Sequence, residues 1–337
     1  MMRWLAAAFA AALGVAPQPA AGPSHDVASS PVLTVVADIP LPGPAVRFDY
    51  QSLDTTSDRL YIAHMGAGEI VVFNVRTRRV VATIAGMPGV TGVWAVPEEH
   101  RVYASLTRLH QVAVIDDSSL QVVARVGNIG FPDGIAYAPD QRKVYVSDES
   151  GGGELVIDAA TNRTTTLPVD GEAGNTVFDP GSRCILVTVQ TRNELYVIDP
   201  RNDRILGRFP FQGAARPHGM AIDAAQRRAF IANERDGRVL MVDLRRMRLL
   251  DSEPAGNAPD VLAYDPGWRR LYVASESGVV SVFTAAPSAL VHEGDVTMPH
   301  AHSVAVDART HLVYFPLQDI GGRPILRVMS GRPPTDQ

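Results

Sequence analysis

Short apolar runs alternate with turn-forming residues along this chain, and the runs keep one length and one spacing almost from end to end. Residues 216–256 show the unit. A Pro-His-Gly step leads into the small apolar run Gly219-Met220-Ala221-Ile222, then an Asp-led turn, then Ala229-Phe230-Ile231-Ala232. A polar loop, an alternating run from Val239 to Leu244, a second turn and a last extended run complete it. These segments are too short and too rich in β-branched and aromatic residues for helices, so they predict four strands. Counted from the residue before each first run, the equivalent positions are Asp49, Thr91, Asp133, Gly174, His218, Asp260 and His302, spaced by 42, 42, 41, 44, 42 and 42 residues. A period of this length with four strands per repeat predicts the blades of a β-propeller.

The two ends of the pattern complement each other. Residues 32–39 form a lone apolar run like Val80–Ile84 and Val122–Val126, the fourth strands of their repeats. The repeat that begins at His302 supplies only three strands: 304–306, 312–316 and 325–329. The expected fold is therefore all-β, a seven-bladed propeller of four-stranded blades. The N-terminal strand completes the last blade, which leaves no open sheet edge between first and last. The expected division is a signal peptide over 1–22, a lead-in over 23–31, the propeller over 32–329 and a disordered tail over 330–337.

The second strands carry a family likeness. Val144-Tyr145-Val146-Ser147, Phe230-Ile231-Ala232-Asn233 and Leu271-Tyr272-Val273-Ala274 recur with Leu195-Tyr196-Val197-Ile198-Asp199 and with Pro-x-Gly steps. The chain thereby resembles the YVTN-repeat, YncE-like propellers over roughly residues 33–329. The resemblance implies the fold; it implies no reaction, and it supplies no catalytic motif to transfer.

Composition narrows the picture further. Hydrophobic residues at 46% and charged residues at 20% describe an ordinary folded domain. The net charge is −5, and Lys143 is the one lysine, so the cations are nearly all arginine. Pairs such as Arg227-Arg228, Arg245-Arg246 and Arg269-Arg270 are spread over several turns and read as a solvated rim. With an acidic balance and no clustered basic face, no nucleic acid is expected as a partner. The start of the chain has Arg3, an apolar stretch from Trp4 to Val15, then small residues and prolines. That pattern predicts an export leader too short to span a bilayer, cleaved between Ala16 and Ser24, hence a periplasmic or secreted protein without membrane insertion. The single cysteine, Cys184, excludes an intrachain disulfide and a C-x-x-C-H haem attachment, and reads as a small buried hydrophobe.

Propeller geometry says where chemistry belongs. First strands start, and second strands end, on the same side of the disc. Two sets of side chains should therefore meet at one mouth of the central channel. One set is the ring of strand entrances, with Asn175 beside Gly174. The other is His64, Asp148-Glu149, Gln190, Asn233-Glu234, Ser275-Glu276 and Gln318. Taken singly, each polar residue is explained by capping backbone groups at a strand end. Taken together, several carboxylates around a narrow mouth repel one another unless a cation offsets them.

Asp49, Asp133, Asn175, His218, Asp260 and His302 are therefore the candidate ligand-binding residues. His218, His300 and His302, with Asp133, Asp260, Glu149 and Glu234, are the candidate metal ligands. In an extended His300-Ala301-His302 segment both imidazoles point the same way. Imidazole with carboxylate suits zinc, manganese or copper, and oxygen-rich subsets suit calcium or magnesium. Three readings stay open: a small molecule or divalent metal bound at the channel mouth; a metal-dependent hydrolase, lactonase-like, whose logic resembles six-bladed gluconolactonase-type propellers; and a scaffold for a protein partner using the Arg-rich turns. Catalysis is left open because no nucleophile–base pair is legible. Ser303 stands outside any G-x-S-x-G motif. Trp94 reads as packing and Trp268 as an exposed aromatic in a turn.

Overall fold

The computed structural model describes residues 31–331 apart from Gln212. Within it lie seven four-stranded antiparallel sheets. The only helices among the described residues are two three-residue 3-10 turns, Pro97–Glu99 and Pro139–Gln141. None is long and apolar enough to cross a membrane. Blades one to six each use consecutive strands, for example Pro217–Asp223, Arg228–Asn233, Arg238–Asp243 and Arg248–Pro254 in blade five. The innermost strand of each blade touches those of both neighbours, the first with the seventh included, so the ring is closed.

Blade seven is closed as the sequence predicts. Leu33–Pro40 pairs antiparallel with Ile325–Gly331, beside Leu312–Leu317 and the innermost strand Ala305–Asp307. The last strand runs two residues beyond the expected limit at 329, because Ser330 and Gly331 pair with Thr34 and Leu33. The expected leader over 1–22, most of the expected lead-in over 23–31 and residues 332–337 of the expected tail lie outside the described residues.

Packing explains the repeated aromatic of the second strands. Seven separate hydrophobic clusters fill the spaces between adjacent blades. Tyr61, Tyr103, Tyr145, Tyr272 and Tyr314, one position in five different blades, are all fully buried there. Full burial of one such ring contributes about 1.5–3 kcal/mol. On the outermost strands only alternate side chains are covered, which leaves Val81, Val123 and Leu206 exposed.

The arginine pairs are a solvated rim only in part: Arg245, Arg246 and Arg269 are exposed, whereas Arg227 is half-buried and Arg228 and Arg270 are buried. Each hairpin that joins a first strand to a second ends in a residue with positive φ, among them Arg142, Arg183, Arg227 and His311. That geometry aims its side chain back at the previous blade: Arg142 at Glu99, Arg183 at Asp140, Arg227 at Asp179 and His311 at Asp265. Arg228 is buried against Asp223, and Arg270 against Glu293. Alternation along the second strand sends the next residue inward, so Arg227 clasps the neighbouring blade while Arg228 enters the sheet. Trp268 is half-buried rather than exposed, stacked on His311 with ring centroids 4.1 Å apart.

One buried acid lies in the wall between blades three and four. Glu154 is fully buried and accepts a 2.7 Å hydrogen bond from the Thr176 hydroxyl. Burial pushes its carboxyl up to about 8. Between its unfolded value of 4.5 and about 8, the folded state keeps a proton that the unfolded state releases. Stability is therefore lost as pH rises through that window, by roughly 3–5 kcal/mol in total. Glu154→Gln is expected to remove this dependence. Its melting temperature should equal the parent's near pH 5 and exceed it increasingly towards pH 9; two parallel curves would contradict the assignment.

Candidate functional site: an acid and imidazole ring across the channel

A repeated bulge builds the site. In blades two to six the pairing of first and second strands slips by one residue at the start, for example between Pro132 and Ile135, and between Pro217 and Met220. The extra residue lies at the strand entrance, as in the steps Pro132-Asp133-Gly134 and Pro217-His218-Gly219. It frees the middle side chain from the sheet and lets it turn to the axis. The glycine that follows is required by close approach: a side-chain carbon on Gly219 would lie 1.7 Å from the Asp260 carbonyl oxygen, and on Gly92 2.0 Å from that of Asp133. Hydroxyls on second strands then hold the bulged carbonyls of the next blade. Ser105 donates to Asp133 O at 2.7 Å and Thr188 to His218 O at 2.7 Å. Gly219→Ala should force blades five and six apart and cost about 1–3 kcal/mol. A thermal melt measures this, and an unchanged midpoint would show that the blades yield freely.

The turned side chains meet over the axis. His218 of blade five bonds Asp260 of blade six through Nδ1 at 3.0 Å, and Glu149 of blade three through Nε2 at 2.7 Å. Its Nε2 also lies 3.8 Å from Asp133 Oδ2. Blades three and five are not neighbours, so these contacts span part of the channel. Gln190 donates to Glu149 at 2.7 Å. Tyr50, ahead of blade one, takes a 3.1 Å hydrogen bond from the amide of Asn175 in blade four and so crosses the axis. Arg47 reaches Glu276 at 2.8 Å and Asp49 at 3.6 Å.

Two sets of ligand atoms lie close enough to share an ion. Asp133, Glu149 and His218 form one, and Asp260, Glu276 and His302 the other, with all atoms of a set within 4.8 Å of one another. Asp133 Oδ2 and His302 Nε2 are buried without a hydrogen-bond partner among the described residues. Leaving such atoms unmatched is costly, about 1–3 kcal/mol each.

Burial and crowding set the protonation of the ring. Burial, with the charges of Glu149 and Asp49, holds the Asp133 carboxyl well above its ordinary value. Burial pushes Asp49 up to about 6, against the opposing pull of His302. Burial also disfavours charge on His218, but its hydrogen bonds to Asp260 and Glu149 outweigh that and raise it well above the usual imidazole. For Asp260 burial is likewise overcome, here by the His218 hydrogen bond, and the carboxyl is lowered. The Tyr50 phenol is held well above its ordinary value by burial and by the charges of Asp133, Asp260, Asp49 and Glu149.

Several expected members stand elsewhere. His300 has φ 67° and is exposed, while His302 is buried. The left-handed residue breaks the alternation that would have put both imidazoles on one side. Glu234 bonds Arg216 at 2.6 Å and belongs to neither set. His64 is fully buried, stacked on Phe48 and bonded to Glu69 at 3.1 Å. Asp148 caps the backbone amides of Gly130, Phe131 and Ser150. Asn233 donates to Gly213 O. Trp94 is not packing: it is 39% exposed and lines the channel. Tyr50 and Arg47 were missed because Tyr50 stands where Gly92, Gly134 and Gly219 follow their entrances, and Arg47 precedes the entrance at Asp49. The single cue is that both flank Asp49 in the sequence.

Comparison with known proteins agrees with this architecture. The chain is 26% identical to antigen Lp49 of Leptospira interrogans over 153 residues, which cover 42% of this chain and 31% of Lp49. It is 31% identical to the YncE proteins of Salmonella typhi and Salmonella typhimurium over 96 residues, 28% of this chain and 27% of theirs. The matched stretches thus span less than a third of each relative's length. No family model matches the chain. Among solved structures, the WD40 repeats of RRP9 superpose with a TM-score of 0.75 at 13% identity, covering 89% of this chain and 100% of that one. Hydrazine synthase of Kuenenia stuttgartiensis does so with a TM-score of 0.73 at 14% identity, covering 87% and 97%. At such identities the likeness is one of fold. The chain is a seven-bladed β-propeller with weak sequence similarity to YncE and Lp49.

Proposed function

We propose that this is an exported, YncE-like propeller that binds a divalent cation at the mouth of its channel, through Asp133, Glu149 and His218. The observation that carries the reading is Asp133: a carboxylate oxygen buried without a donor, in a set whose ligand atoms lie within 4.8 Å of one another. A dication would match that oxygen and offset the repulsion between Asp133 and Glu149. Asp260, at the other nitrogen of His218, would orient the imidazole as carboxylates commonly do behind metal-bound histidines. One imidazole with two carboxylates favours zinc or manganese. The second set is less suited, since Arg47 already pairs with Glu276. Sequence features support the rest of the reading: the leader pattern points to export, and the Tyr-containing second strands to the YncE-like group.

The test is calorimetric titration of chelator-treated protein with Zn2+ and Mn2+. One saturable equivalent is expected, weakened at least ~10-fold by Asp133→Asn and abolished by His218→Ala. Absence of saturable binding, or unchanged binding in both variants, would overturn the reading.

A further inference from the structure

Behind the ring the channel changes character. A cavity of about 350 Å³ runs down the axis, lined chiefly by the innermost strands. Val93, Trp94, Ile135, Phe178, Met220 and Ile222 are among its walls, and no charged residue lines it among the described residues. Tyr50 and Asn175 belong to the same lining, and their mutual hydrogen bond crosses the channel at the ring end. The opposite end reaches Pro180 and Ala224, which lie in the hairpin turns on the far side of the disc. Asp133, Asp260 and His302 on the ring side are nearly buried, whereas Trp94, Pro180 and Ala224 towards the hairpin side are exposed. The hairpin side is therefore the approach for a small molecule.

We propose that this channel binds a small primary amine with an apolar body, admitted from the hairpin side and held with its ammonium at Tyr50 and Asn175. Charge supports the choice. Four carboxylates, Asp49, Glu149, Asp260 and Glu276, crowd the ring just beyond Tyr50, against the cations Arg47 and His218. The ring end of an otherwise uncharged channel therefore faces a negative surplus, which an ammonium relieves and a carboxylate worsens. Acceptors are in place as well. Asn175 donates one amide hydrogen to Tyr50, and its carbonyl oxygen and the phenol oxygen stay open to receive an N–H. At the other end Trp94 keeps an exposed aromatic surface inside the channel, a platform for an aliphatic or aromatic body. The proposal does not need a metal in the ring; a dication there would weaken the amine by offsetting the same surplus.

The test uses three molecules of one shape on chelator-treated full-length protein: 2-phenylethylamine, 2-phenylethanol and phenylacetate. Calorimetry should show one equivalent of the amine, the alcohol weaker by at least about tenfold, and no phenylacetate binding. Trp94→Ala should weaken the amine about tenfold while leaving Zn2+ and Mn2+ titrations unchanged. Tyr50→Phe should reduce the preference for amine over alcohol. Binding of phenylacetate as tight as the amine, no heat from any of the three, or parental affinity in Trp94→Ala would overturn the proposal. Because the protein is metal-free, failure here is distinct from failure of the cation reading.

Discussion

A chain beginning at Leu41, without the strand Leu33–Pro40, is expected to lose the cooperative melt of a chain beginning at Pro31, or to melt at least ~10 °C lower. The strand pairs along its length with Ile325–Gly331, interrupted by one bulge between Val35 and Ala37. Each backbone hydrogen bond lost costs about 0.5–1.5 kcal/mol. Leu33 is buried in the cluster that holds Met329 and Phe315, and Arg327 donates twice to Asp38, at 2.8 and 2.6 Å. Removing the strand also bares Ile325–Gly331 as an apolar edge, so association should accompany the loss. Circular dichroism melts and size-exclusion chromatography read both effects. A synthetic peptide of residues 31–41 added in trans should restore part of the melting temperature. A truncated chain that melts as the parent does would show that the ring holds without this closure.

Asp223→Ala should be nearly as damaging through a single side chain. Asp223 is 3% exposed and accepts from Arg228 at 2.7 Å, from the Tyr264 hydroxyl at 3.0 Å and from the backbone of Gln226 at 3.1 Å. Arg228 is itself buried and also donates to the Ala286 carbonyl of blade six. Removing the acid leaves a guanidinium buried without its counter-charge, at a cost of about 3–5 kcal/mol. Deleting both charges is different. Asp223→Ala with Arg228→Met should recover at least about half of that loss, since an apolar side chain needs no partner there. Denaturant melts of the two variants decide it. A mild Asp223→Ala, or a double variant no better than the single, would show that Arg228 is satisfied by carbonyls alone.

The clasp at Asp223 and the ring at His218 come from the same repeat, yet they differed in how plainly the sequence displayed them. The ring entrances were legible because the entrance residue recurs at fixed spacing, and a bulge frees it in each of blades two to six. Glu149 and Glu234 end equivalent second strands, and nothing in their sequence context separates them. One meets His218 across the axis, whereas the other meets Arg216 at the rim. Likewise the spacing in His300-Ala301-His302 suggests a shared direction, and a left-handed backbone at His300 cancels it. Arg245, Arg246 and Arg269 are exposed as a hairpin tip usually is, whereas the positive φ that turns Arg227 towards Asp179 belongs to the turn, not to composition.

The sequence by itself determined the number of blades, the strands in each, and the strand that closes the ring. Those follow from local periodicity and from the need to bury one aromatic per repeat between neighbouring sheets. Only the tertiary structure decided which acids and imidazoles touch, that Tyr50 reaches Asn175 across the axis, and that an uncharged channel lies behind them. Such contacts join residues of separate blades, 125 positions apart for Tyr50 and Asn175. Their distances depend on how seven sheets twist and close around one axis, and a repeat read one blade at a time carries no record of that.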